Sequence, residues 1–298
     1  MPNCLRTPRQ CGRYWGFDMP HDIGFVDNSS MLAHYAMLET IRDFAAANGW
    51  TVLRYNTAPA NRELILKGVG YTGEEEIFVG FRTYQDASAD YYNLVAAAFT
   101  GYVPGNTFDA QPGAMLSGVP AHNNRIDYWL TLNPQRIAIA MKVGTPVYEC
   151  CYVGKFLPYA RPSQYPYPVI AAGMLNGIPA TRFSDTAHSA PFKGARANMR
   201  MRFNSGAWLQ PSCWPWGNDH VAGANSQMRD TAGNYSLQPV ILYLSGVGIF
   251  GELDGVRHVS GFNNAVENTL TVEGVDWLVV QDVSRTGFND YFALRLDS

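Results

Sequence analysis

Glu74-Glu75-Glu76 place three carboxylates in succession within a chain of 298 residues. A carboxylate pair is the machinery of glycoside hydrolysis: one protonates the leaving oxygen while the other attacks or activates water. Consecutive residues entering a strand point to alternate sides, however, so the run reads first as solvated charge. His122, His188 and His258 each stand without a nearby Ser or Cys nucleophile in the sequence. Only the fold could complete a triad around one of them. Glu75 and His122 are the residues on which a hydrolase reading would rest. The adjacent pairs His21-Asp22 and Asp219-His220 diverge if their backbone is extended.

Gly246-Val247-Gly248-Ile249-Phe250-Gly251 spells the dinucleotide fingerprint GxGxxG. That chemistry needs the last glycine to open a helix whose N-terminus meets a pyrophosphate. Here Glu252-Leu253-Asp254-Gly255 leads into another apolar strand, so the context is missing. No GxSxG, HExxH or P-loop sequence is present. The five cysteines are Cys4, Cys11, Cys150, Cys151 and Cys213. Cys4 and Cys11 lack CxxC spacing, and no second pair completes a zinc set. Cys150 and Cys151 are neighbours on a strand and point to opposite faces, so the thiols are expected reduced and buried. No catalytic residue, cofactor or metal site is assigned.

Aromatic side chains remain. Tyr159, Tyr165, Tyr167, Trp208, Trp214 and Trp216 lie in proline- and glycine-rich stretches, and Arg200 and Arg202 belong to the basic cluster of that region. Tyr, Trp and Arg anchor protein interfaces because they bury much area at low entropic cost. These eight residues are the candidate interface set. Tyr165, Tyr167, Trp208, Trp214 and Trp216 would also suit stacking on sugars.

Composition agrees with a contact protein. The chain is 47% hydrophobic but only 16% charged, below the roughly 25% usual for soluble domains. A surface poor in charge suits symmetric oligomerisation. Net charge is −3 without a basic run, so direct nucleic-acid readout is not expected. The first residues hold Cys4, Arg6 and Arg9 but no apolar core of a signal peptide. No apolar stretch approaches the roughly 20 residues of a membrane span, so no membrane insertion is expected.

The elements that must position these residues centre on Arg125–Pro168. Ile126–Leu132 and Arg136–Val143 are apolar runs joined by the turn Asn133-Pro134-Gln135, and Val147–Leu157 follows Gly144-Thr145-Pro146. This reads as a three-strand antiparallel meander ending in a stiff proline-tyrosine tail. Before it, residues 1–28 read as an extended arm, expected to order only on assembly. Asn28-Ser29-Ser30 caps a helix whose stripe is Met31, Tyr35, Leu38 and Ile41 or Phe44, closed by Asn48-Gly49. His34 lies at the margin of that stripe. Strands are expected at Trp50–Tyr55, Glu63–Gly68, Glu76–Tyr84 and Tyr91–Tyr102, followed by a long loop at 103–124 that is a candidate contact arm. Residues 171–238 are irregular, and their Pro211–Asn218 stretch is expected either beneath the domain or against a partner. The last sixty residues carry short strands with hairpin signals at Asp254-Gly255 and Glu273-Gly274. The fold class is mainly β (α+β): antiparallel sheets in sandwich- or barrel-like domains with one prominent N-terminal amphipathic helix. The divisions are 1–28, 29–170, 171–238 and 239–298.

Three segments, Asn61–Leu94, Arg136–Pro168 and Gly255–Leu296, together resemble virion structural proteins of tailed bacteriophages and prophages. The order of helix and antiparallel strands over 29–84 is also similar to tail-terminator and tail-completion proteins. The resemblance implies a multicopy, non-enzymatic component of the tail or neck, a ring or collar touching other copies and other tail proteins. It implies residence in the virion, with assembly in the host bacterial cytoplasm, and transfers no catalytic residue. A baseplate or fibre-attachment component that binds a host surface glycan is the first alternative. A tail-associated hydrolase is the second.

Overall fold

The computed structural model describes residues 19–144, 147–159, 168–171, 192, 199–203, 205–216, 235–281 and 291–296. Strands account for 53% of the structure and helix for 7%, so the chain is mainly β, with antiparallel sheets. Expectations for Cys4, Cys11, Tyr165, Tyr167, His188 and Asp219-His220, and most of those for the 1–28 arm and the 171–238 segment, fall outside the described residues.

The central sheet is built on the 126–155 meander. β7 (Ile126–Asn133), β8 (Arg136–Lys142) and β9 (Tyr148–Lys155) pair in succession. β1 (His21–Val26) is added beside β7, while β11 (Pro168–Ala171), β12 (Met199–Arg202) and β13 (Trp208–Leu209) extend the sheet beyond β9. On β8 and β9 the period of two divides the side chains cleanly. Ile137, Ile139, Met141, Cys151 and Val153 enter one core; Ala138, Ala140, Tyr148, Cys150 and Tyr152 enter another. Both faces of this sheet are therefore covered, which is why its strands read as nearly unbroken apolar runs.

One cover is the sheet of β2 (Thr51–Asn56), β3 (Glu63–Gly68), β4 (Ile77–Asp86), β5 (Tyr91–Phe99) and β6 (Met115–Val119), in that order. It brings Leu64, Leu66, Val79, Phe81, Leu94 and Ala96 to the first core. Helix α1 (Ala33–Ala47) packs there too, burying Ala33, His34, Met37, Leu38, Ile41 and Ala45. The second cover has the order β14 (Ser212–Trp214), β15 (Gln238–Leu244), β16 (Gly248–His258), β19 (Tyr291–Leu296), β18 (Val275–Gln281), β17 (Thr269–Val272). The short β10 (Leu157–Pro158) pairs with β16.

Several expectations are corrected. Residues 21–26 are no arm but an edge strand of the central sheet. Asn28-Ser29-Ser30 does not cap α1; the N-cap position is Leu32, with no side-chain cap bond, and Ser29 instead closes a turn on Asp27. Leu38 and Ile41 of the expected stripe are buried, but its first turn differs: His34 and Met37 are buried there, while Tyr35 turns outward to Gln85 and the Ala60 carbonyl. The 103–124 loop is not a free arm. It contains β6, Gln111 bonds both Val103 main-chain groups, and Arg82 pairs with Asp109. Asp254-Gly255 is no hairpin turn, because β16 runs straight through it, kinked where Gly255 takes a φ of +71°. Glu273-Gly274, with φ of 53° and 80°, does make the tight turn between β17 and β18.

Candidate functional site

The turn Asn133-Pro134-Gln135 is where the three sheets meet. Its successive carbonyls accept from three different elements: Asn133 from the Trp50 indole at 3.0 Å, Pro134 from the Gly70 amide at 2.9 Å, Gln135 from the Lys155 amide at 2.9 Å. Asn133 Oδ1 accepts the amides of Gln135 and Arg136, the local pattern that makes Asn a turn former. Its Nδ2 is thereby left to donate outward, and it meets Asp254.

Asp254 is the hub of a buried polar cluster. Its Oδ2 accepts from Tyr71 Oη at 2.5 Å, Asn133 Nδ2 at 2.8 Å and Gln135 Nε2 at 2.8 Å. Its own amide donates to Tyr152 Oη at 3.3 Å. Burial, and then the Asp254 charge, push the Tyr71 phenol far up, so it stays a donor. Arg136 is fully buried alongside, with Nη1 on the Thr131 carbonyl and hydroxyl at 2.9 and 2.6 Å. The kink at Gly255 makes room for it: a Cβ there would lie 2.3 Å from Arg136 Nη2. The donors that reach Asp254 on β16 come from two turns, Tyr71 from β3–β4 and Asn133 and Gln135 from β7–β8, so the cluster's chemical capacity is to lock sheets together.

The residues with catalytic potential in sequence are held apart. Glu75 is ion-paired with Lys155 and Glu76 with Lys67 at 2.7 Å, so the two carboxylates are drawn to different strands. His122 Nδ1 accepts the Asn124 amide at 2.8 Å, a turn contact. His258 is buried against Trp216, ring centroids 5.0 Å apart. Gly246 and Val247 of the GxGxxG segment form the tip of the β15–β16 hairpin, and Gly248–Gly251 already belong to strand β16 and open no helix. Cys150, Cys151 and Cys213 are buried, and burial raises the Cys151 thiol to about 12. Among the described residues no group of three His, Cys, Asp or Glu is placed to hold a metal.

The candidate interface residues separate. Tyr159 is exposed and donates to Glu252 Oε2 at 2.7 Å. Trp208 is half-buried on the first core, with its indole on the Gly113 carbonyl at 3.1 Å and Arg202 beside the ring. Arg200 and Trp214 are also half-buried. Trp216 is corrected: at 6% exposure it is part of the chain's own second core and offers little surface. Two exposed apolar features were missed. Ile23 and Phe25 on β1 are 49% and 52% exposed, and Val247 and Ile249 at the hairpin tip are 69% and 65% exposed. The alternation of His21–Val26 and the glycines around Val247 were the available signals; one was read as an arm, the other as a failed nucleotide motif.

No protein-family model matches the chain, and no curated protein is found that is similar to it.

Proposed function

We propose that the protein is a multicopy structural component of a tailed-phage virion, a ring- or collar-forming subunit of the tail–neck region that acts by contact and not by turnover. The stacked sheets are read as a sandwich-like body with α1 as its prominent amphipathic helix. The observation that carries the reading is the pair of exposed apolar features on different sheets: Ile23 and Phe25 on the edge of the central one, Val247 and Ile249 on the tip of an outer one. Two unlike sticky surfaces on one subunit suit heterologous, head-to-tail contacts, which close into rings when the rotation allows. The sparse charge and the polar cluster locked inside the body support a rigid building block.

The test is direct. The purified chain is expected to form closed multimers by sedimentation and negative-stain microscopy, and a label on it within intact particles to fall in the tail–neck region. A label at the distal end of the tail, with binding of host polysaccharide, would instead establish the baseplate reading. A monomer that degrades peptidoglycan or polysaccharide, losing activity on Glu75→Gln or His122→Ala, would establish the hydrolase.

A further inference from the structure

The end of α1 sets an asparagine beside an unshielded amide. Asn48 is the C-cap of the helix, its main-chain amide donating to the Ala45 carbonyl, and Gly49 follows with a φ of +88°. The Trp50 amide returns to the same carbonyl at 3.0 Å, while the Gly49 amide makes no hydrogen bond among the described residues. Gly49 is exposed, and a Cβ there would meet nothing within 4 Å. Asparagine followed by glycine is the pair most prone to cyclise, because no side chain hinders the attacking nitrogen or the rotation it requires. Asn48 is restrained by its Nδ2, which donates to the Phe44 carbonyl at 2.8 Å. Both residues belong to the last turn of the helix, the part that frays.

Other asparagines are held at the nitrogen that would attack. In Asn28-Ser29, where the following side chain is also small, the Ser29 amide donates to Asp27 Oδ1 at 3.0 Å. The Arg62 amide after Asn61 donates to the Thr83 hydroxyl at 2.7 Å, and the Ala265 amide after Asn264 donates to Asn264 Oδ1 at 3.0 Å. Asn133 is followed by proline, which has no N–H. An engaged amide must break its bond before it can react. The side-chain amide of Asn28 is bonded to Asn124 at 3.0 Å, much as that of Asn48 is to Phe44, so the two sites differ chiefly at the attacking nitrogen. Asn176-Gly177 repeats the dipeptide outside the described residues.

We propose that Asn48 is a site of spontaneous deamidation, and that the conversion loosens the junction between α1 and the central turn. The Gly49 nitrogen attacks Asn48 Cγ as it gives up its proton; the Cγ–Nδ2 bond breaks, and the side-chain nitrogen leaves with that proton as ammonia. Water then opens the cyclic imide, at Cγ to give aspartate or at the main-chain carbonyl to give isoaspartate, whose main chain is one carbon longer. Either product removes the donor to the Phe44 carbonyl and sets a negative charge at the negative end of the helix. Two residues on, the Trp50 indole donates to the Asn133 carbonyl at 3.0 Å, so a lengthened main chain pushes on the anchor between the outer sheet and the central turn. Assembly plays no part in this chemistry.

Peptide mapping by mass spectrometry tests it, on the full folded chain aged at mildly alkaline pH. The peptide spanning Asn48 should gain the mass difference between NH and O and separate into aspartate and isoaspartate forms. The peptide spanning Asn28 should lag by about tenfold or more, the equivalent of about 1.4 kcal/mol for freeing an amide from a carboxylate. Asn48→Gln should abolish the conversion at that position. Asn48→Asp, one of the two products, should melt about 2 °C below the unaltered chain. Asn48 unchanged in the folded chain overturns the site, and conversion in the urea-unfolded chain alone would trace the protection to the helix end. Equal rates at Asn28 and Asn48 overturn the role of the free Gly49 amide. An Asn48→Asp chain that melts with the unaltered one overturns the loosening of α1.

Discussion

Tyr71 and Asp254, 183 positions apart in sequence, are joined by a 2.5 Å hydrogen bond from phenol to carboxylate. The bond links the β3–β4 turn of one outer sheet to β16 of the other, past the end of the central sheet between them. Asn133 and Gln135 complete the set from the β7–β8 turn, so one carboxylate oxygen ties together elements of all three layers.

Asp254→Ala should therefore destabilise the fold by about 3 kcal/mol or more, since it leaves three buried donors without an acceptor. Tyr71→Phe removes one donor and should cost about 1–2 kcal/mol. Urea unfolding measures both. An Asp254→Ala midpoint equal to that of the unaltered chain would show that the cluster carries no stability.

Gly154 sits opposite Arg136 in the β8–β9 ladder, with a φ of +125°. A Cβ there would lie 2.3 Å from the Gln135 carbonyl oxygen and 2.8 Å from the Arg136 Cα. Both are backbone atoms of the central turn and cannot swing aside. Gly154→Ala should cost more than about 2 kcal/mol, combining the strained φ with the clash. Gly105→Ala is the control: it meets nothing within 4 Å, and thermal unfolding should register it within about 0.5 kcal/mol.

His34 supplies a pH dependence. It is fully buried on α1 between Tyr35 and Tyr92, with ring centroids 4.4 and 5.6 Å away, and burial, helped by the Arg62 charge, lowers it from 6.5 to about 3. Between those values the unfolded chain takes up a proton that the folded chain refuses. The contribution is complete above about pH 6.5 and is lost as pH falls toward 3, to a limit of about 4–5 kcal/mol. His34→Phe should flatten the stability profile between pH 6.5 and 5 while changing little at pH 8. An unchanged slope would place the acid sensitivity elsewhere.

The meander and its turn were legible because both faces of the central sheet are buried, which writes uninterrupted apolar runs into Ile126–Leu132 and Arg136–Val143. Glu273-Gly274 was legible for a local reason, two successive residues suited to positive φ. Asp254-Gly255 carries the same local signal and does something else: Tyr71, Asn133 and Gln135 recruit the aspartate, and the glycine becomes a kink beside Arg136. Nothing near Asp254 in sequence announces partners more than a hundred positions away. The helix start failed similarly, because packing of Ala33 and His34, not a capping side chain, decides where α1 begins. The exposed pair Ile23 and Phe25 was hidden because alternation in His21–Val26 identifies a strand but not which of its faces lacks a cover.

Trp216 and Tyr159 were equivalent as aromatic anchors in sequence, and the fold separates them. Trp216 is buried against His258 in the second core, and truncating a core aromatic costs about 3–5 kcal/mol. Tyr159 is 55% exposed, and its bond to Glu252 lies at the surface, so Tyr159→Ala should change stability by no more than about 1 kcal/mol. Trp216→Ala should therefore lower the thermal midpoint, while Tyr159→Ala should leave it nearly fixed. A Trp216→Ala chain that melts at the unaltered temperature would show that the tryptophan carries no core packing.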